Sequence, residues 1–233
     1  MTIKKTQGKI TSIKKLTPTS KEITFILNEP LNFIAGSFVN IFMNIDGEKI
    51  RRAYSISSFE TEQNKISLSI RLSPEGKMTP LFWGKDLIGE TVELMGPLGL
   101  NTANKMNSEH IYLFGFGIGA GVIKSLTEHF KNKPNIKKII IVTGSRSEED
   151  IVHKEYFDSV SQKDSRIQVS YIISKPVTQT PHKTGYIQNH ISEYDFNNSD
   201  VYVCGQENAC NTLVEQIKKT NPANCSFLIE GFH

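Results

Sequence analysis

Residues 51–58 read RRAYSISS, two arginines running into a tyrosine and then into serines. The alternation has the period of a strand. A strand needs no arginine pair at its mouth, and a β core has little use for so many hydroxyls. These side chains are therefore candidates for holding something. A guanidinium fork suits phosphate oxygens, and a tyrosine face offers area and fixed geometry to a flat ring. A surface arginine beside a cross-strand aromatic would leave the same letters. A second stretch, LFGFGIGAGVIKSL, carries Gly115, Gly117, Gly119 and Gly121 between an apolar run and a helical pattern. Glycines let a backbone approach a pyrophosphate, and a helix N-terminus offers free N–H groups and a partial positive charge. The same glycines would also serve a tight turn that packs a helix on its strand. Further on, VTGSRSEED presents Ser145 and Arg146 ahead of any acid. A dinucleotide fold commonly has a ribose-binding acid there, so this order is hospitable to an extra phosphate.

The elements that must position these residues fall into two rhythms. KITSIKKLT, KEITFILN, FVNIFMNI, KISLSIRLS and TVELMGPLG are short alternating runs with turn residues between them. They predict an antiparallel barrel or sandwich. Gly36 marks a tight bend or bulge, and TPLFWG at 79–84 is the one short helix expected in this half. After GPLGLNTANKMNSE the pattern changes. HIYLFGFG, KKIIIVTGS, RIQVSYIIS and SDVYVCG read as buried strands, and GAGVIKSLTEHFKN, EEDIVHKEYFDSV and ENACNTLVEQIKK as helices. Strands alternating with helices mean a parallel, doubly wound sheet, and continuous apolar strands fit burial on both faces. The expected organisation is an antiparallel β-barrel over residues 1–103, then an α/β domain over 104–233.

Composition excludes several classes. The 233 residues are 38% hydrophobic and 22% charged, which is ordinary for a globular chain. No apolar run approaches the length of a membrane span, and the basic start MTIKKTQGKITSIKKL lacks the apolar region of a secretory signal. Cys204, Cys210 and Cys225 offer no disulfide framework, so a reducing cytoplasm is the expected compartment. The net charge of +3 is too small to argue for nucleic acid. All of that excess lies in residues 1–104, which hold 13 Lys+Arg against 10 Asp+Glu.

In order and spacing, these motifs resemble the ferredoxin–NADP reductase superfamily over nearly the whole chain. Arg52-Ala53-Tyr54-Ser55 matches its flavin-binding R-x-Y-S, and Gly76-Lys77-Met78-Thr79 resembles its G-x-x-S/T. GPLG, Gly96 to Gly99, matches the stretch that ends the barrel. GIGAGVIKSL resembles the G-x-G-x-x-P loop, with Val122 where proline is usual. VYVCGQENAC resembles C-G-x-x-x-M, with Ala209 or Cys210 replacing the methionine, and EGF resembles the E-x-F/Y near the end. The resemblance implies that Tyr54 lies against the isoalloxazine, Arg52 pairs with a flavin phosphate, and Ser55 reaches flavin N5. Arg71 joins this set, and Lys77-Met78-Thr79, at the start of the short helix, hold the pyrophosphate. It implies Gly117, Gly119 and Gly205 at the nucleotide, and Cys204 and Glu230 near the nicotinamide, with Phe232 covering part of the flavin. Ser55, Cys204 and Glu230 are thus the catalytic candidates. Cys204 is expected to end its strand, where ligands of such sheets sit, which favours the nicotinamide over a small core hydrophobe; Glu230 could equally be a solvated acid.

Relatives of the plant type place Ser-Arg at the end of the third strand and Tyr before Ile-Gln, at the 2′-phosphate. Here Ser174-Lys175 and Tyr186-Ile187-Gln188 stand there, with Arg146 as a second cation. FAD and NADP are the implied cofactors, NAD the second choice. Three scattered cysteines cannot ligate an iron–sulfur cluster, so no metal is expected. The implied activity passes a hydride from NADPH to FAD and then single electrons to ferredoxin or flavodoxin, in a monomer or weak dimer. A free-flavin reductase, a reductase subunit of a larger redox complex and a non-enzymatic sensor are the alternatives.

Overall fold

A computed structural model describes residues 2–232. The chain divides into two compact units, Met1–Thr102 and Ala103–His233.

The first unit is a six-stranded antiparallel sheet in the order β4-β3-β6-β1-β2-β5. Its strands are β1 (Lys4–Thr17), β2 (Ser20–Leu27), β3 (Phe38–Ile45), β4 (Glu48–Ser55), β5 (Lys65–Arg71) and β6 (Thr91–Leu98). Alternation puts Thr6, Gly8 and Ile10 of β1 inside and Lys5, Gln7 and Lys9 outside. β1 pairs β6 from Lys4 to Lys9 and β2 from Gly8 to Thr17, and two irregularities in the β2 ladder bend it, at Ile10/Ser12 and Lys15/Thr17. The sheet curls until its outer strands meet. Ile56 bridges Leu68 of β5, and the Ser57 N–H donates to the Ser67 carbonyl. Ile10, Ile23, Phe25, Ile41, Leu68 and Leu94, all 0% exposed, fill the interior.

The short helix α1 is Leu81–Gly84, and it begins later than its letters suggest. Thr79 precedes a proline, which disfavours helical backbone at that residue. Its hydroxyl instead donates to the Ser73 carbonyl at 3.0 Å and accepts from the Ser73 N–H at 2.9 Å. Lys77, Met78 and Thr79 therefore form a closed loop ahead of the helix and do not start it.

The second unit is a parallel six-stranded sheet in the order β10-β9-β8-β7-β11-β12. Its main strands are β7 (His110–Phe116), β8 (Lys138–Ser145), β9 (Ile167–Ile173) and β11 (Ser199–Gln206). Its helices are α2 (Ala120–Lys131), α3 (Lys154–Lys163) and α4 (Glu207–Lys219). α4 buries Cys210, Leu213, Val214 and Ile217 in a core shared with Val201 and Val203 of β11 and Phe114 of β7. β7 and β11 are neighbours although their crossovers run in opposite directions along the sheet. That reversal opens the crevice at the carboxyl ends where ligands of such sheets sit. Buried Asp200 accepts from the N–H groups of Asn107 and Ser108, at 2.5 and 2.7 Å, and from the Ser226 hydroxyl, so it ties the entry of β7 to β11 and β12.

EEDIVHKEYFDSV is not one helix. Glu148–Asp150 form a 3-10 turn, and α3 starts only at Lys154. Ile151 and Val152 are inserted into the core at 5% and 2% exposure, and His153 has φ +58°, which no right-handed helix can continue. The unit also holds β10 (Lys183–Thr184), a 3-10 segment Ile187–Glu193, and β12 (Ser226–Phe232). β12 places EGF on an edge strand parallel to β11.

Candidate functional site

In the first unit, β4 is an outer strand paired to β3 with Tyr54 opposite Val39 and Ser55 opposite Phe38. Paired residues share a face and neighbours do not. Tyr54 therefore lies on the side of the buried Val39 and packs on the barrel core. Arg52, two residues earlier, shares that side; it is exposed and its guanidinium donates to the Arg51 carbonyl at 2.8 Å. Ala53 and Ser55 take the opposite face. Ser55 is the last residue of β4, and one residue later the chain changes partner from β3 to β5. Burial pushes the Tyr54 phenol up to about 12, against the pull of the Arg52 charge, so the ring stays neutral across the working pH range.

The structure brings the two first-half motifs together. The Tyr54 hydroxyl donates to Met78 Sδ at 3.7 Å, and Met78 is 1% exposed. Lys77 pairs with Glu48 at 2.5 Å, which holds the Glu48 carboxyl below its ordinary range. Sequence reasoning had no signal for Glu48, which is an ordinary exposed strand acid until Lys77 is folded beside it. The Gly76 N–H donates to the Ser73 carbonyl and turns the loop. Arg71 ends β5 opposite Ser20 and is exposed, whereas the continuation of β4 meets β5 at Leu68.

In the second unit, the glycine turn is the 3-10 segment Gly117–Gly119 between β7 and α2. Its glycines do different work. Gly117 has φ +54°, and an added Cβ there would meet nothing within 4 Å, so this glycine supplies conformation beside open space. At Gly119 a Cβ would stand 2.3 Å from the Cys204 carbonyl oxygen, so this glycine lets the turn pack on β11. The packing reading of the motif holds at Gly119. Gly205 follows Cys204 and lies against Phe116.

Cys204 is opposite Gly115 on one side and Glu230 on the other. Cysteine and carboxylate therefore share a row on one face of the sheet. Cys204 does not end its strand, which runs on to Gln206. Its thiol is 1% exposed, and burial pushes its pKa well above the usual thiol range. It is thus a protonated, apolar-like group and no nucleophile. Glu230 is half-buried, and Phe232, 37% exposed, lies opposite Gln206.

At the carboxyl ends of β8 and β9, the Ser174 N–H donates to the Ser145 carbonyl and the Lys175 N–H to the Arg146 carbonyl. These bonds extend the ladder and hold the exposed Arg146 and Lys175 on adjacent strand ends. The Ser145 hydroxyl donates to the Asp150 carbonyl and that of Ser174 to the Ser145 carbonyl, so both serines brace the loop. Tyr186, 63% exposed, opens the 3-10 segment, and its N–H donates to Asn189 Oδ1 at 3.0 Å. Gln188 donates from Nε2 to the Ala209 carbonyl, while its buried Oε1 has no partner among the described residues.

Comparison with known proteins bears on both units. A family model described as an oxidoreductase FAD-binding domain matches residues 7–102, and one described as an oxidoreductase NAD-binding domain matches 113–215. The crystal structure of a ferredoxin NADP+ reductase from Neisseria gonorrhoeae superposes with a TM-score of 0.83 at 15% identity, covering 100% of both chains. The chain belongs to the ferredoxin–NADP reductase superfamily. Within this superfamily, ferredoxin–NADP reductase B of Sorangium cellulosum is 23% identical over 189 residues, 80% of this chain and 77% of that one. The toluate 1,2-dioxygenase electron transfer component of Pseudomonas putida is 23% identical over 231 residues, covering 97% of this chain and 67% of its own length. The plasma membrane-associated coenzyme Q6 reductase PGA3 of Saccharomyces cerevisiae is 26% identical over 197 residues, or 82% of this chain, and the match spans 62% of that protein. The chain thus spans under two thirds of the yeast relative. Among the described residues no helix is long and apolar enough to cross a membrane.

Proposed function

We propose that this FAD- and nucleotide-binding oxidoreductase takes a hydride from NADPH and delivers single electrons to a small carrier protein, ferredoxin or flavodoxin. Bound FAD supplies the conversion between two-electron and one-electron transfer. Arg52 holds a flavin phosphate through its exposed guanidinium, Tyr54 covers the ring, and Lys77, Met78 and Thr79 hold the pyrophosphate in their closed loop. Arg71 and Ala53 complete the flavin contacts, and Phe232 covers part of the ring. Gly117, Gly119 and Gly205 shape the nucleotide turn, while Cys204 and Glu230 position the nicotinamide. Ser145, Ser174, Tyr186 and Gln188 frame the adenosine end. The proposed workplace is the cytoplasm, as a monomer or weak dimer.

The observation that carries the choice of NADPH is the locking of Arg146 beside Lys175 by ladder hydrogen bonds. Two cations on neighbouring strand ends suit a 2′-phosphate and give NADH nothing to hold. Changing both to uncharged residues should lower kcat/KM for NADPH by about one to two decades and spare NADH, since a charge-assisted contact contributes roughly 1.5–3 kcal/mol. Equal losses for both nucleotides would show the pair to be structural.

Flavin retention tests the other half. Arg52→Ala and Tyr54→Ala should each fold and lose FAD more readily on dilution, read by fluorescence of released flavin. Because Tyr54 also packs on the core, Tyr54→Phe is the companion variant and should keep most of the stacking. Wild-type retention in both alanine variants would remove R-x-Y-S from the flavin site.

A second reading is favoured by the toluate relative, whose name describes an electron transfer component of a dioxygenase. In that case the acceptor is a dedicated oxygenase, and the reductase should co-purify with it from its native source.

A further inference from the structure

Tyr202 lies in the middle of β11, 0% exposed, and its phenol hydroxyl has no hydrogen-bond partner among the described residues. Buried tyrosine hydroxyls ordinarily find a partner, and an unsatisfied buried donor is destabilising. Phenylalanine would occupy the same volume without that cost, so the hydroxyl calls for a use. Tyr202 is flanked in register by Leu113 and Leu228, whose side chains offer it no acceptor. Two residues along each strand, on the same face, stand Cys204 and Glu230. Burial raises the phenol pKa far above its usual value, and the proximity of Cys204, Glu230 and Cys210 raises it further. The phenol thus keeps its proton and can only be a neutral donor or acceptor. It stands one strand step beneath the two groups assigned to the nicotinamide.

We propose that Tyr202 is a positioning residue for Glu230: when the nicotinamide nucleotide binds, the Tyr202 hydroxyl donates to the Glu230 carboxylate and fixes it at the end of β12. This rests on the reading of Glu230 as a nicotinamide neighbour. The donor is held ready in a water-excluded layer, where a hydrogen bond to a carboxylate is worth most. Glu230 lies on β12, an edge strand whose strand partner is β11, and the buried β11 offers the more rigid anchor.

The test uses the FAD-loaded enzyme with Tyr202→Phe, Glu230→Gln and the double variant. Thermal unfolding is followed with and without saturating NADP+, and flavin reduction by NADPH is followed by rapid mixing. Without nucleotide, Tyr202→Phe should unfold at the wild-type temperature or above it. Its nucleotide-induced stabilisation should shrink by the equivalent of about tenfold weaker binding, ~1.4 kcal/mol, with a comparable loss in the rate of flavin reduction. Adding Tyr202→Phe to Glu230→Gln should cost little more, because the two act as a unit. An unchanged nucleotide-induced shift and rate in Tyr202→Phe would overturn the proposal. So would a fall in unfolding temperature that is the same with and without nucleotide, which marks a purely structural hydroxyl, or losses that simply add in the double variant. Failure of the underlying reading shows separately. If Glu230→Gln alone leaves nucleotide binding and rate at wild-type levels, Glu230 is not at the nicotinamide, and the proposal falls with it.

Discussion

Gly119→Ala is expected to destabilise the second unit by about 3 kcal/mol or more and to weaken nucleotide binding by at least about a decade. The added Cβ would lie 2.3 Å from the Cys204 carbonyl oxygen, 2.7 Å from its carbonyl carbon and 3.1 Å from the Gly205 nitrogen. All three atoms are backbone, so no side-chain tip can swing away. Relief requires the turn to lift from β11 or the end of β11 to shift, and both carry groups assigned to the nucleotide. Gly117→Ala is the control, since its Cβ meets nothing within 4 Å. Its only penalty is left-handed backbone at φ +54°, roughly 1–2 kcal/mol. Thermal unfolding of the two variants, with and without NADP+, separates packing from conformation. A Gly119→Ala protein that melts with wild type and still gains stability from nucleotide would contradict the close approach of turn and strand.

The second large effect is kinetic. Ser55→Ala should leave FAD and NADPH affinity nearly intact and slow flavin reduction by one to three decades, on the order of 1.4–4 kcal/mol. A hydrogen bond that strengthens on the way to the transition state acts on the barrier and leaves binding unchanged. The register sharpens the difficulty that strand neighbours face opposite ways. Tyr54 shares the face of Val39, and Ser55 that of Phe38. The physical opening is that β4 ends at Ser55 and hands over to β5 at Ile56, so Ser55 sits where regular alternation stops. Rapid-mixing measurement of flavin bleaching under saturating NADPH decides the matter. An unchanged rate in a variant that retains FAD would strip Ser55 of its role and leave Cys204 and Glu230 as the groups to examine.

Legibility differed between elements for identifiable reasons. ENACNTLVEQIKK was legible as a helix to the residue, because its apolar positions recur on one stripe and charged residues follow it. EEDIVHKEYFDSV was misread because Ile151 and Val152 mimic helical spacing while entering the core as an extended plug. TPLFWG started two residues late because Thr79 is committed to Ser73 before the proline. β12 was read as a motif and not as a strand. Its pairing partner, β11, lies on the far side of α4, and no local pattern announces a parallel edge.

From the sequence alone came the two rhythms, the order of the motifs and the superfamily they resemble. Each depends on side-chain period or on residues adjacent in the chain, and both are written locally. The tertiary structure alone decided which residues meet: Tyr54 with Met78, Lys77 with Glu48, Arg146 beside Lys175, Cys204 opposite Glu230, and Gly119 pressed on the Cys204 carbonyl. It alone left the Tyr202 hydroxyl, in a buried layer, without a partner among the described residues. Strand order and register join residues tens of positions apart, and a period of two is satisfied equally well by several pairings. The choice among them is made by packing the whole core at once, which no short stretch of the chain can record.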